Sequence, residues 1–329
     1  KKGFYMKKNP FGDKGDFLTS PNISILFSEM IAIWTVAFWH NLKCPKKINL
    51  IELGSGNGQM LYDMIESFKS FPEFYHSCKF FILEKSPYLK KIQKKKLKKF
   101  NVKWLKNLDE INNGHNIFIA NEFFDALPFK QFFKINNKWK ERFVVVDKNN
   151  NKSFTKINCN IKKIEKDLGF KISKNQKVIE YSPVALKYLK NISKKIILKN
   201  GCLLIIDYGY LDDSMRDTMM AIKKHKYTNI LSKFGSSDIS YKLNFKILKK
   251  IIKSLKLKCQ SITSQRNFLI SLGIQQRAEI LSKNLPFLKK ADIYYRLKRL
   301  IDKDKMGNLF KVMLITNKNI NFKIGFEVD

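Results

Sequence analysis

Short apolar runs alternate with helix-forming segments between residues 48 and 128 of this 329-residue chain. The runs at 48–53, 80–83, near 102 and at 117–120 have the length of strands, and the segments at 59–68 and 87–99 have the length of helices. A β-α-β series of this kind forms a parallel sheet with helices on both faces. We therefore predict an α/β fold in which functional residues lie at the carboxyl ends of the strands.

The series is interrupted after Pro128, where 129–134 and 139–146 are predicted to form a β-hairpin that turns at Asn136-Asn137. We predict three regions: an N-terminal loop and helix at 1–45 that closes the site, a core at 46–128 and 177–329 with helical insertions, and a β-rich insertion at 129–176. In the second part of the core we expect strands at 178–181 and 202–206 around a helix at 183–198. Residues 211–240 are predicted to form irregular structure. Helices are expected at 245–255 and 275–300, with strands near 261 and at 311–315.

The first strand is followed by a loop with glycine at alternate positions, Glu52-Leu-Gly-Ser-Gly-Asn-Gly58. Missing Cβ atoms allow such a loop to turn tightly and to approach a ligand, although a ligand-free turn is the alternative interpretation. A dinucleotide fingerprint would have a third glycine where Gln59 stands. The pattern instead resembles the loop of Rossmann-like S-adenosylmethionine-dependent methyltransferases.

Glu84 follows the second strand, where an acidic side chain can accept hydrogen bonds from both hydroxyls of a ribose. The alternative is an exposed carboxylate with no ligand. Because the loop and the acid occur in the right order on consecutive strands, we favour a cofactor site.

Three polar residues, Asn121, Glu122 and Asp125, follow the strand at 117–120, and Asp207 follows the strand at 202–206. Carboxylates at neighbouring strand ends indicate a reaction site in the same crevice. The alternative for the first three is a helix N-cap beside a packed pair of phenylalanines.

The formal net charge is +36, which alone would suggest a nucleic-acid binder. Lysine supplies 58 of the 64 basic residues and is spread along the whole chain, so we attribute the charge to codon bias and expect no specific nucleic acid.

The five cysteines are odd in number and form no C-x-x-C pair, which indicates a reducing compartment, and no metal site is expected. The apolar run at 23–39 is interrupted by polar residues and shorter than a membrane span, so we expect a buried helix and no span.

Seven motifs occur in the order of one known family, and together they extend over most of the chain. They are Gly15-Asp-Phe-Leu-Thr-Ser-Pro21, Asn121-Glu-Phe-Phe-Asp-Ala-Leu-Pro128, Glu180-Tyr-Ser-Pro183, Ile206-Asp-Tyr-Gly-Tyr210, Asp217-Thr218 with His225, Phe268-Leu-Ile-Ser-Leu-Gly-Ile274 and Leu309-Phe-Lys-Val312. In these motifs the chain resembles the MidA-like family, the mitochondrial complex I assembly-factor methyltransferases and their bacterial relatives.

The resemblance implies a Rossmann-like class I methyltransferase fold with a β-hairpin insertion and added helices, S-adenosyl-L-methionine as methyl donor, and methylation of an arginine on a partner protein such as a complex I subunit. It implies three groups of site residues. Those expected at the cofactor are Gly15, Thr19, Glu52, Gly54, Ser55, Gly56, Gly58, Glu84 and Asn121. Glu122 and Asp125 are expected to be catalytic, and Asp207, Tyr208, Tyr210 and His225 to contact the substrate.

The chain departs from the family pattern at Asn22, Lys242, Asn244 and Arg266, which puts substrate identity in more doubt than cofactor binding. Two other functions stay open: a non-enzymatic assembly factor and an RNA methyltransferase. The expected compartment is the cytoplasm for a bacterial protein and the mitochondrial matrix for a eukaryotic one. Because the chain starts without methionine, we expect an incomplete N-terminus, and the oligomeric state is not specified.

Overall fold

The structure is a computed structural model that describes residues 19–111, 113–223, 226–232 and 237–326. Its strands are β1 (Ile48–Leu53), β2 (Cys78–Leu83), β3 (Val102–Leu105), β4 (His115–Asn121), β5 (Lys130–Ile135), β6 (Lys138–Val146), β7 (Lys152–Asn158), β8 (Val178–Tyr181), β9 (Gly201–Tyr210), β10 (Met220–Lys223), β11 (Lys226–Tyr227), β12 (Asp238–Ser240), β13 (Leu243–Asn244), β14 (Lys258–Ser264) and β15 (Phe310–Thr316). Its helices are α1 (Ser20–Ile23), α2 (Ile25–Asn41), α3 (Gln59–Phe68), α4 (Pro72–Ser77), α5 (Pro87–Lys96), α6 (Ile161–Leu168), α7 (Pro183–Lys199), α8 (Phe245–Ser254), α9 (Gln265–Ser271), α10 (Ile274–Ser282) and α11 (Phe287–Ile301).

The central sheet has the strand order β14-β15-β9-β4-β1-β2-β3, and the short β13 pairs with the end of β9. Strands β3, β2, β1, β4 and β9 are parallel, whereas β15 runs antiparallel between β9 and β14. Strand β2 pairs with one edge of β1 and β3 pairs with β2, whereas the next strand, β4, pairs with the other edge of β1. The crevice between the carboxyl ends of β1 and β4 is therefore the topological switch point, where open α/β sheets bind ligands. The predicted α/β fold is confirmed.

A second sheet has the order β7-β6-β5-β8. The predicted hairpin is β5–β6, and Asn136 and Asn137 at its turn have φ of 47° and 60°, as a tight hairpin turn of this kind requires. The prediction that 178–181 belongs to the core was wrong, because β8 pairs antiparallel with β5 in this second sheet. A four-residue run, here Val-Ile-Glu-Tyr, fits either sheet equally well, and only tertiary pairing decides between them.

Residues 211–240 were predicted to be irregular, but part of this region forms a small antiparallel sheet of β11, β10 and β12. These strands are only two to four residues long, too short for a pattern of alternation. The predicted helix at 275–300 is divided into α10 and α11 near Pro286. The β-rich insertion predicted at 129–176 contains, after the hairpin, β7 and the amphipathic helix α6.

Apolar side chains cover both faces of the central sheet. One cluster joins α2, α3, α9, α10 and α11 to one face, and the other joins α7 and α8 to the opposite face. Helix α2 is buried around most of its circumference, as expected for the apolar run. In the described part of the chain, no helix has the length and apolar character that a membrane crossing demands.

Candidate active site

The loop after β1 has three glycines with positive φ: Gly54 at 69°, Gly56 at 52° and Gly58 at 80°. The Gly54 amide donates to the carbonyl of Leu83 at 3.0 Å, which ties the loop to the end of β2. A Cβ on Gly54 would lie 2.7 Å from Cδ2 of Phe123. Glycine at 54 therefore satisfies both the left-handed backbone and the close approach of an aromatic ring.

Glu52, at the end of β1, is buried at the base of this loop, and Ser55 Oγ donates to its Oε2. Burial raises the pKa of Glu52 to about 7, the Ser55 hydrogen bond opposes the rise, and the neighbouring Glu84 carboxyl adds to it. The carboxyl is thus able to change protonation when a charged ligand group approaches.

A buried glutamine, Gln93 on α5, connects the glycine loop to Glu84. Its Nε2 donates to the Gly56 carbonyl at 2.8 Å and to Glu84 Oε2 at 3.1 Å, and its Oε1 accepts from Trp104 Nε1 at 2.9 Å. Glu84 Oε1 accepts from the Ser86 amide at 2.8 Å. Sequence analysis missed Gln93; the only available signal was a polar residue on the inward face of a helix. One amide therefore fixes the relative position of the two expected halves of a cofactor site.

Glu122 follows β4 in the left-handed conformation, with φ of 51°. Its amide donates to the Ile206 carbonyl at 2.9 Å, and its Oε1 accepts from the Ser20 amide at 3.1 Å and from Asn121 Nδ2 at 3.3 Å. Burial raises the pKa of Glu122 to about 8, and the Asp125 carboxyl contributes to the rise. Asn121 Oδ1 is buried without a partner among the described residues, so it is available to a ligand.

Asp207 holds the turn that carries Asp125. Its Oδ2 accepts from the amides of Phe124 at 2.9 Å and Asp125 at 3.4 Å, and its Oδ1 accepts from the Tyr208 amide at 2.8 Å. Burial raises the pKa of Asp207 to about 7. Burial also raises the pKa of Asp125, as do the nearby Asp207 and Asp238 carboxyls. Since Asp207 is completely buried, the structure places it beneath the turn rather than at the surface where we expected it to meet a substrate.

Tyr208 and Tyr210 line a cavity of 560 Å³ beyond the end of β9. Each ring already has a cation of the same chain above it: Lys242 Nζ lies 5.1 Å from the Tyr208 centroid, and Arg216 Cζ lies 4.9 Å from the Tyr210 centroid. The cavity is large enough for a side chain of a substrate, but a second cation would have to displace these two.

Helix α1 covers the glycine loop from outside. The Ser20 amide contacts Glu122 as described, and Asn57 Nδ2 donates to Asn22 Oδ1 at 2.7 Å. Asn22 Nδ2 in turn donates to Thr19 Oγ1 at 2.7 Å. The cavity enclosed between α1 and the loop measures 40 Å³, room for about one water molecule.

The structure brings together nine of the expected site residues around the switch point: Thr19, Glu52, Gly54, Ser55, Gly56, Gly58, Asn121, Glu122 and Asp125. Glu84 joins them through Gln93, while Tyr208 and Tyr210 lie at the neighbouring cavity. Gly15 and His225 lie outside the described residues. No cluster that could hold a metal ion occurs among the residues whose placement is described.

The comparisons with known proteins agree with this geometry. A family model for S-adenosyl-L-methionine-dependent methyltransferases matches residues 30–263. The chain belongs to this family. Among curated relatives of this methyltransferase, it is 28% identical over 336 residues to "Protein arginine methyltransferase NDUFAF7, mitochondrial" of Xenopus laevis, covering 94% of this chain and 76% of the relative. It is 26% identical to the Homo sapiens protein of the same name, covering 94% and 75%.

A solved structure of a COG1565 superfamily member from Burkholderia thailandensis, bound to S-adenosyl-homocysteine, superposes with a TM-score of 0.78. The two chains are 21% identical, and the match covers 96% of this chain and 84% of the other. At this identity the likeness shows the methyltransferase fold. It is the fold that the strand order of the central sheet already indicated.

The residues at the switch point fit S-adenosyl-L-methionine, the donor that the family uses. Glu84 has lone pairs beyond those taken by Ser86 and Gln93, so it can accept from ribose hydroxyls. The unpartnered Asn121 Oδ1 and the buried Glu52 suit the amino group of the methionine end.

Proposed function

We propose that this methyltransferase modifies an arginine side chain of a partner protein. The observation that carries the proposal is the pair of partly buried carboxyls, Glu122 and Asp125, that follow β4, with Glu122 lining the same cavity as the glycine loop. The relatives named above are protein arginine methyltransferases, and we propose a respiratory complex I subunit or its bacterial equivalent as partner.

The chemistry of arginine explains why carboxyls are needed. A guanidinium has a pKa above about 12 and is a poor nucleophile while it is charged. When bound, S-adenosyl-L-methionine supplies a methyl group activated by its sulfonium. In this proposal Glu122 and Asp125 accept hydrogen bonds from guanidinium nitrogens and take up the proton that is lost.

Burial raises the pKa values of these two acids, and a raised pKa suits a group that must take up a proton. The pKa of Glu122 is raised to about 8, and a cation that arrives beside the two carboxyls lowers both pKa values because of its opposite charge. Asp207 is a positioning residue in this scheme, since it accepts from the amides of the turn. Tyr208 and Tyr210 contribute the wall of the adjoining cavity.

The test compares wild type, Glu122→Gln and an exposed control, Glu73→Gln on α4. Each is incubated with radiolabelled S-adenosyl-L-methionine and an extract from cells that lack the protein, and methylarginine is located by mass spectrometry. We expect wild type and the control to label a protein, and Glu122→Gln to lose transfer while its cofactor affinity, measured by calorimetry, changes only a few-fold. Wild-type transfer by Glu122→Gln would refute the assignment.

The same experiment separates the two other functions. Label in the RNA fraction would identify an RNA methyltransferase. Capture of a partner with no label in any fraction, despite cofactor binding, would identify an assembly factor without transfer. The compartment is likewise a proposal: the curated relatives carry "mitochondrial" in their names, and we propose that this protein lies wherever its respiratory-complex partner is assembled.

A further inference from the structure

Two adjacent large apolar side chains stand in solvent where the chain turns from α10 into α11. Phe287 is 81% exposed and Leu288 is 80% exposed, more than any other large hydrophobic residue in the described part of the chain. Single exposed apolar residues are ordinary, but a neighbouring pair at this level of exposure indicates a contact surface.

The helices that carry this turn are firmly packed at their other ends. Ile274 and Ala278 of α10 and Leu297 and Leu300 of α11 belong to the core cluster beneath the central sheet. Residues 286–289 are all exposed. The turn is therefore a projection on a rigid base, and its exposure does not come from a loosely held segment.

Lysines surround the apolar pair. Lys283 precedes it and Lys289 and Lys290 follow it, and none of the three forms an ion pair with a described residue. The nearest acid along α11, Asp292, pairs with Arg296 at 2.7 Å. The two apolar side chains are thus flanked in sequence by three lysines without an ion pair among the described residues, against one such acid, Glu279 on α10.

We propose that residues 283–290 form a docking tip for an anionic lipid bilayer. Phe287 and Leu288 would enter the boundary between head groups and acyl chains while the lysines contact anionic head groups. A bilayer suits a convex projection because it is flat and deformable, whereas a protein partner would need a matching groove. This inference does not depend on the methyl acceptor.

The main alternative is that the lysine-rich chain binds any anionic surface without using this tip. The chain offers a matched control for that possibility. Leu198, near the end of α7, is 75% exposed, and Lys194, Lys195 and Lys199 are close to it in sequence. Its apolar neighbour Ile197 is only 43% exposed, so this site has similar charge and a less exposed apolar pair.

The experiment is co-sedimentation of the full chain with vesicles of phosphatidylcholine alone and of phosphatidylcholine mixed with phosphatidylglycerol. We compare wild type, Phe287→Asp/Leu288→Asp, Lys289→Gln/Lys290→Gln and Leu198→Asp, after checking that each unfolds at the wild-type temperature. We expect wild type and Leu198→Asp to bind the mixed vesicles and to release with salt, and both tip variants to bind at least about tenfold more weakly.

Equal binding by wild type and both tip variants would overturn the proposal in favour of scattered lysines. Absence of wild-type binding to mixed vesicles would also overturn it. If the apolar variant instead abolished self-association in sedimentation velocity while vesicle binding stayed unchanged, the tip would be a protein interface and the bilayer proposal would be wrong.

Discussion

Replacing Glu52 with Gln should make the folded protein less sensitive to high pH. Burial raises the pKa of Glu52 to about 7, so the fold holds this proton more tightly than the unfolded chain does. A group of this kind contributes its full stabilisation below its unfolded pKa of 4.5, and the contribution is lost as the pH rises through about 7. Gln has nearly the same shape, can accept from Ser55 Oγ and cannot ionise.

The size of the effect follows from the two pKa values. Each tenfold change in acid strength corresponds to about 1.4 kcal/mol, so raising the pKa from 4.5 to about 7 makes ionised Glu52 cost the fold roughly 3 kcal/mol. Near pH 5.5 roughly 1 kcal/mol of this stabilisation has been lost, and near pH 8.5 almost all of it. Between these conditions, wild type should lose about 2 kcal/mol more stability than Glu52→Gln.

Urea unfolding at the two pH values measures this difference directly. Buried acids that do not interact with Glu52 are common to both proteins and cancel in the comparison, whereas the neighbouring Glu84 carboxyl is coupled to Glu52 and is part of the effect. Glu73→Gln, an exposed substitution on α4, should follow wild type at both pH values. If the stability gap between wild type and Glu52→Gln were the same at both pH values, the burial argument for Glu52 would be wrong.

Two further predictions concern the cofactor site and the rate. Gln93→Leu removes the hydrogen bonds to Gly56 and Glu84, and we expect calorimetry to show roughly tenfold weaker binding of S-adenosyl-L-methionine. A lower melting temperature with unchanged affinity would show that Gln93 stabilises the fold and does not support the cofactor site. We expect kcat/KM for methyl transfer to rise with pH through about 8, because Glu122 must be ionised to hold a guanidinium, and a flat profile would contradict that role.

The parallel part of the fold could be predicted because each strand and helix carries its own local signal. Glycines 54, 56 and 58 mark the end of β1, and the apolar run of β4 ends at Asn121 in the structure as in the sequence. The failures have a different origin. The run at 178–181 has no periodicity that distinguishes a central from a peripheral strand, and its pairing with β5 depends on residues about 50 positions earlier in the chain.

The site was predictable where it follows strand ends and not where it depends on tertiary contacts. Glu84 could be found because an acid at the end of β2 has a positional meaning. Gln93 was missed, since its only signal, a polar residue four positions after Leu89 on the inward face of a lysine-rich helix, does not indicate a ligand site. Asp207 was found at its strand end, and its contact with a substrate stays a prediction, but the sequence does not show that its carboxyl accepts hydrogen bonds from three backbone amides.

The backbone at Glu122 connects these observations. A residue other than glycine in the left-handed region costs about 1–2 kcal/mol, so its neighbours must hold it there. The Glu122 amide is bonded to the Ile206 carbonyl on β9, and Asp207, the next residue on that strand, holds the amides of Phe124 and Asp125. Strand β9 therefore fixes the turn on both sides of Phe123, and it holds on one turn two acids, Glu122 and Asp125, whose pKa values are raised by burial.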